Sequence, residues 1–278
     1  MSEIRANVRT TGHGPTVVLL HSSGSSGRQW DPLVEQLRDR FRLHAVDLHG
    51  HGGTPAWLSN APMSLADEAA LLVPLLNTSG GAHLVGHSYG AAAALKAAVQ
   101  FPHLVRSVTV YEPVLFAMLF TFNRRDRAAT EVRLAADSMR NWLARGMARQ
   151  SAQRFVDFWS EAGTWDTLPL AHQEMIASRM PSIMAHFDAL YRDSMSRHDL
   201  AELQVPALVL TGVRTRLATR RISELLQAAM PVATQEKLEH MGHMGPVTHA
   251  GVVANRIARF LDAQVIADRT DNRLAQAA

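Results

Sequence analysis

Short runs of β-branched and aliphatic residues alternate with amphipathic stretches over the first third of this chain. That alternation predicts an α/β fold, a mostly parallel sheet with helices on both faces. The spacing predicts a strand over 17–20, a helix over 30–38 and a strand over 43–47. Ser64, with Asp67 three residues on, predicts the N-cap of a helix whose apolar positions include Leu65, Ala69, Leu72 and Leu76. A strand over 82–86, a helix of small residues from about 91 to 101 and a strand over Val105–Tyr111 follow.

The alternation then stops. From Pro113 to about Leu200 the chain is rich in aromatic residues and methionine at helical spacing, with no run that reads as a strand. It resumes at Val205 with the run that ends at Thr211, then a helix over 219–229, a strand over Thr234–Leu238 and a closing helix over 252–261, beyond which fraying is expected after about 267. The middle region is therefore expected to be a helical cap inserted over the sheet, residues 113–200, with the core formed by 1–112 and 201–278.

Composition narrows the function classes. With 278 residues, 47% hydrophobic and 19% charged, the chain can bury one large core with an insertion. No apolar run is long enough to span a bilayer, so no membrane partner is expected. The formal charge is only +3, and the basic residues, all arginine except Lys96 and Lys237, are scattered among acids, which argues against a nucleic-acid partner. The start, MSEIRANVRT, lacks the features of a secretory signal, so a cytoplasmic location is expected. The absence of cysteine excludes disulfides and thiolate metal ligands.

The sharpest motif is Gly86, His87, Ser88, Tyr89, Gly90, set between a strand and a helix of small residues. A turn that tight accepts only glycine on either side, and it lifts the serine hydroxyl clear of the sheet at a helix N-terminus, where the dipole favours developing negative charge. The bland alternative is an incidental glycine-rich turn. With these flanks the chain resembles the α/β-hydrolase fold family over nearly its whole length, and the resemblance implies that Ser88 is a nucleophile. His21, Ser22, Ser23 and Gly24, after the strand at 17–20, look like the family's oxyanion segment. By that match the backbone N–H groups of Ser23 and Tyr89 bind the oxyanion, and His21 braces the loop. Asp47, Gly50 and Gly52 match a family turn with a structural role. His243, after the last strand, matches the family's general base. A metal reading of His49 with His51, or of His240 with His243, lacks the further ligands such a site needs.

The family's acid normally follows the strand that here ends at Thr211, but Thr215 stands at that position and carries no charge. Some members place the acid one strand earlier, which implies Glu112, at the end of Val105–Tyr111. A serine and histidine dyad without an acid is the alternative. These residues imply hydrolysis of an ester, lactone or thioester through an acyl-enzyme, with no cofactor, no metal and a small-molecule substrate with an apolar acyl part. The competing readings are carbon–carbon bond hydrolysis or a lyase reaction with the same serine and histidine, and a catalytically silent ligand receptor. In the cap, Phe116, Met118, Leu119, Phe120, Phe155, Phe158, Trp159, Trp165, Met180, Met184 and Phe187 are expected mostly to pack against the core, with some lining a pocket. Arg124, Arg125 and Arg127 fit a solvated basic face better than a carboxylate site.

Overall fold

The computed structural model describes residues 5–77, 80–122, 126–230 and 232–277. Numbered in chain order, the elements are β1 (Val8–Thr11), β2 (Thr16–Leu20), α1 (Asp31–Leu37), β3 (Arg42–Val46), α2 (Leu65–Leu76), β4 (Ala82–His87), α3 (Tyr89–Gln100) and β5 (Val105–Tyr111). Six helices come next: α4 (Phe116–Phe122), α5 (Arg127–Ala144), α6 (Ala148–Trp159), α7 (Thr164–Thr167), α8 (Leu170–Arg192) and α9 (Arg197–Ala201). The chain closes with β6 (Ala207–Gly212), α10 (Leu217–Ala229), β7 (Thr234–Leu238), α11 (Gly245–Thr248) and α12 (Ala250–Ala277).

The seven strands form one sheet in the order β1-β3-β2-β4-β5-β6-β7. Every pairing is parallel except β1 with β3. Alternation along β2 sorts its side chains onto two faces. Val17 and Leu19 join a core with Leu33, Leu37 and Ile257 under α1 and α12, while Val18 and Leu20 join a larger core with Leu72, Leu95 and Ile222 under α2, α3 and α10. The central strands β2 and β4 are buried along their whole length, and β2 accordingly reads as an apolar run from Val17 to Leu20, whereas β4 also buries His83 and His87.

The order of elements follows the pattern of the sequence, with an inserted run of helices between β5 and β6. Ser64 caps α2 as the spacing predicted, its hydroxyl accepting from Asp67 N–H while Asp67 accepts from the Ser64 N–H. Two features differ from the sequence reading. The antiparallel edge strand β1 has two half-buried residues at its ends and two exposed ones between them, too little apolar patterning to stand out. The closing helix continues to Ala277, beyond the point where fraying was expected. Among the described residues no helix is long and apolar enough to cross a membrane.

The inserted helices dock on the core through a buried polar layer as well as apolar packing. His186 of α8 is fully buried and stacks on the Tyr89 ring of α3, with centroids 3.7 Å apart and planes within 4°. Its Nε2–H donates to the His49 carbonyl at 3.2 Å, and its Nδ1 accepts from the Ser23 hydroxyl at 2.8 Å. Behind it lies Glu68 of α2, also fully buried, which accepts from the Tyr89 hydroxyl at 3.3 Å. Burial dominates the titration of these groups. It drives His186 well below the ordinary histidine value and pushes the Glu68 carboxyl up to about 8, although bonds from Tyr89 and the His49 N–H oppose the Glu68 shift. A neutral His186 leaves Glu68 no cation to balance an ionised carboxylate, so Glu68 is held protonated at neutral pH.

An unfolded Glu68 titrates near 4.5 and the folded one near 8, so the folded state holds an extra proton between those values. Its contribution to stability is present below about pH 4.5 and is lost as pH rises to about 8. Glu68→Gln mimics the protonated acid. Thermal unfolding of wild type and Glu68→Gln across pH 5 to 9 should give a Tm difference that grows in favour of the variant toward alkaline pH. A difference independent of pH would mean that Glu68 is ionised in the native protein.

Candidate active site

Ser88 follows β4 at the C-terminal edge of the sheet and begins the turn into α3 with φ 57° and ψ −115°. A non-glycine residue there is strained, and the surroundings fix the conformation. Ser88 N–H donates to Tyr111 O at 3.0 Å, and Ser88 O accepts from Ala92 N–H at 3.1 Å. The flanking glycines are required by contact. A Cβ at position 86 would lie 2.5 Å from Gly90 O, and one at position 90 would lie 2.4 Å from Leu20 O. Both obstacles are backbone atoms.

The register of β4 with β5 pairs His87 with Tyr111, so Ser88 and Glu112 leave adjacent strands side by side. His243 enters from the loop after β7. Its Nε2 lies 2.9 Å from Ser88 Oγ and its Nδ1 lies 2.8 Å from Glu112 Oε2. The carboxylate can only accept from Nδ1–H, which leaves Nε2 free to accept the serine proton. Glu112 is 1% exposed, yet both its oxygens have donors. Gly212 N–H bonds Oε1 at 2.8 Å, and the Thr215 hydroxyl bonds Oε2 at 2.5 Å. Thr215, at the position the resemblance assigns to an acid, thus donates to the carboxylate that reaches the histidine. Glu112 also has a left-handed backbone, φ 45°, and its N–H is tied to Leu210 O at 3.0 Å.

Three further contacts hold His243. The His87 ring donates from Nε2 to the His243 carbonyl at 2.8 Å, and the Tyr111 hydroxyl donates to Gly242 O at 2.8 Å. Trp159, from α6, covers the imidazole with ring centroids 4.2 Å apart. Sequence reasoning assigned none of these roles. His87 was only the variable position of the motif, and Trp159 was one of several cap aromatics. Nothing in the spacing of either points to residue 243.

The segment after β2 wraps toward Ser88. Ser22 needs no glycine conformation, because its N–H and hydroxyl both bond Gln29 Oε1, at 3.1 and 2.9 Å. Gly24 does need one, with φ +79° and its N–H donating to His51 Nε2 at 2.9 Å. His21 accepts from Leu48 N–H at Nε2 and donates from Nδ1 to Ser22 O at 2.7 Å, so it braces the loop. Burial lowers His21 to about 4 and His51 to about 3, so both remain neutral acceptors. Asp47 anchors the same region. Burial disfavours its charge, but Gly27 N–H, Gly53 N–H and Asn7 outweigh that and hold its pKa below the ordinary value. Tyr89 is the first residue of α3, where the helix supplies no acceptor for its N–H. Ser23 and Tyr89 thus flank Ser88, the first through the loop and the second through the chain.

A cavity of about 400 Å³ opens over Ser88 and His243. Its floor is Ser22 to Ser26, and its roof is Phe155, Val156 and Trp159 of α6 with Met175, Ile176 and Arg179 of α8. Of the aromatic and methionine positions singled out in the cap, only Phe155 and Trp159 line it. Phe116, Met180 and Phe187 are packed in the core. Arg127 is exposed at the start of α5, and Arg124 and Arg125 lie outside the described residues. His240 is exposed, while His49 and His51 belong to the buried layer beneath the loop. Among the described residues no three histidine, aspartate or glutamate side chains cluster as a metal site.

Known proteins are similar to this chain. Residues 17–256 match the model of the alpha/beta hydrolase family. A pimeloyl-[acyl-carrier protein] methyl ester esterase of Methylococcus capsulatus is 28% identical over 267 residues, 91% of this chain and 97% of that one. A 2-(acetamidomethylene)succinate hydrolase of Mesorhizobium japonicum is 39% identical over 118 residues, 40% of each chain. The enol-lactonase of Burkholderia xenovorans superposes with a TM-score of 0.73 at 20% identity, covering 92% of this chain and 96% of that one, a likeness of fold. With the family model spanning most of its length, from β2 into α12, this chain belongs to the alpha/beta hydrolase family.

Proposed function

We propose that this protein is a serine hydrolase that cleaves a carboxylic ester, lactone or thioester, with Ser88 as nucleophile, His243 as general base and Glu112 as the acid that orients it. The observation that carries the reading is the unbroken relay from Glu112 Oε2 through the imidazole to Ser88 Oγ, at 2.8 and 2.9 Å. A ligand receptor has no use for such a relay. His243 takes the hydroxyl proton as Ser88 Oγ bonds to the acyl carbon, and the Ser23 and Tyr89 N–H groups receive the oxyanion. The imidazolium then protonates the departing alkoxide or thiolate as its bond to the acyl carbon breaks. Water attacks the acyl-enzyme, giving its proton to His243, which returns one to Ser88 Oγ as the acid leaves.

The division of labour follows the chain. Residues 1–112 and 201–278 form the core that holds the relay, and 113–200 form a cap that roofs the cavity. Its apolar lining from Phe155, Trp159, Met175 and Ile176 suits a small molecule with aliphatic carbons beside the scissile bond. The methyl ester esterase name of the Methylococcus relative favours acyl–oxygen cleavage over carbon–carbon cleavage.

A fluorophosphonate should label wild type stoichiometrically and leave Ser88→Ala unlabelled. On p-nitrophenyl esters of graded length, Ser88→Ala should lose several orders of magnitude in kcat with its fold intact by circular dichroism. More than about a hundredth of wild-type kcat in that variant would move the nucleophile elsewhere. Glu112→Gln should lower kcat by roughly two to four orders of magnitude with KM little changed, as loss of a triad acid does in other serine hydrolases. A near-normal kcat would remove Glu112 from the mechanism.

A further inference from the structure

The face of α8 turned to the cavity is not uniformly apolar. His172, Met175, Ile176 and Arg179 recur at helical spacing along it. Apart from the histidines His172 and His243, Arg179 is the only ionisable residue of the lining, and no aspartate or glutamate is among the lining residues. Its hydrogen bonds go to main-chain carbonyls of the oxyanion loop, from Nη1 to Ser25 O at 3.0 Å and to Gly24 O at 3.5 Å. None of the ion pairs among the described residues includes it. Asp47 acts on it only through space, and both Asp47 oxygens are already taken by Gly27, Gly53 and Asn7. A half-buried guanidinium is thus fixed in the wall of the reaction cavity with no carboxylate in direct contact, its charge supported only through space by Asp47. Burial opposes its charge.

We propose that Arg179 is an anion subsite and that the preferred substrate carries a carboxylate on its acyl chain, which makes it a half-ester or half-thioester of a dicarboxylic acid. This deepens the hydrolase reading and rests on it. The two carbonyl bonds occupy one guanidinium nitrogen, so Nη2 and Nε keep N–H donors for a carboxylate, and the pinned side chain loses little freedom on binding. Met175 and Ile176, one turn before Arg179 on the same face, contact the methylenes between the two ends. A single cation matches a single carboxylate. The reaction leaves the substrate's own carboxylate unchanged and adds a second, so the product is a dianion.

The test compares a monomethyl dicarboxylate with its neutral counterpart, in which a primary amide replaces the free carboxylate, at several chain lengths. Wild type should favour the charged ester by about ten- to a hundredfold in kcat/KM, the range of one charge-assisted contact, and the preference should shrink with added salt. Arg179→Met should abolish the preference mainly through KM for the charged ester, and Arg179→Lys should keep part of it. A residue that only braces the loop would lower both esters equally, so an unchanged ratio in Arg179→Met overturns the proposal. So does a wild-type ratio near one. Protection of Ser88 from fluorophosphonate by adipate against adipamide reads the same subsite without turnover. Failure of Ser88 to label at all sinks the hydrolase reading, whereas labelling with equal protection by both compounds sinks only the anion subsite.

Discussion

The contact between His243 Nδ1 and Glu112 Oε2 sets the terms for the rest of the site. Both side chains are removed from water, and a carboxylate in such a place is tolerated only if its lone pairs are used. Glu112 meets that condition through two elements that have no part in the chemistry, the end of β6 with Gly212 N–H and the turn before α10 with Thr215. The sheet register therefore serves the site directly. Because β5 lies between β4 and β6, its C-terminal residue is one hydrogen bond from each neighbour: Ser88 N–H reaches Tyr111 O, and Glu112 N–H reaches Leu210 O. With Glu112 as the proposed acid, it and Ser88 leave the ends of neighbouring strands, so few intervening contacts set the relay geometry.

Much of this was legible in the sequence because the relevant residues sit on patterned elements. The glycines around Ser88 are forced by backbone contacts under 3 Å, so the motif carries its own geometry. Glu112 was proposed from the resemblance, some members of which place the acid at the end of this earlier strand, once Thr215 left the other acid position without a charge. What the sequence withheld are pairings between distant segments. That Thr215 donates to Glu112 depends on the turn after β6 folding back across 103 positions. Ser23 and His186 are 163 residues apart, and His186 is one polar residue within a helix whose spacing reads as ordinary packing. The strand β1 escaped notice for a simpler reason. An edge strand of four residues, half exposed, has no hydrophobic period to read.

The buried layer beneath the loop works by a different rule from the relay. In the relay a charged carboxylate is satisfied by donors. Beneath the loop, burial keeps His21, His51 and His186 neutral, so each ring presents one N–H and one acceptor nitrogen. A chain of neutral imidazoles can then hold backbone and hydroxyl groups in alternation: Leu48 N–H to His21, His21 to Ser22 O, Gly24 N–H to His51, Ser23 hydroxyl to His186. Charged side chains could not do this, since ammonium and guanidinium groups only donate and carboxylates only accept. Histidine is the choice that lets one fully buried side chain serve both.

The helix α8 joins these two halves. Arg179 holds Ser25 O at one end of the loop, and His186, two turns on, holds the Ser23 hydroxyl at the other. Between them Ile183 touches the space beside Gly24, where a Cβ would meet its side chain at 3.5 Å. The loop proposed to receive the oxyanion is therefore gripped at both ends and along its middle by one of the helices inserted between β5 and β6. Pro181 lies inside α8 between the two grips and has no N–H to donate to the Ala177 carbonyl, so the helix is least constrained between Arg179 and His186. A group bound at Arg179 would touch the half of the helix before Pro181, whereas Ser23 is held by His186 in the half after it. The segment from Ser23 to Ser25 is thus held from both halves of α8, so its placement depends on the angle the helix keeps at Pro181, and for a catalytic donor a misplacement of about 1 Å is enough to lower turnover on the order of a hundredfold.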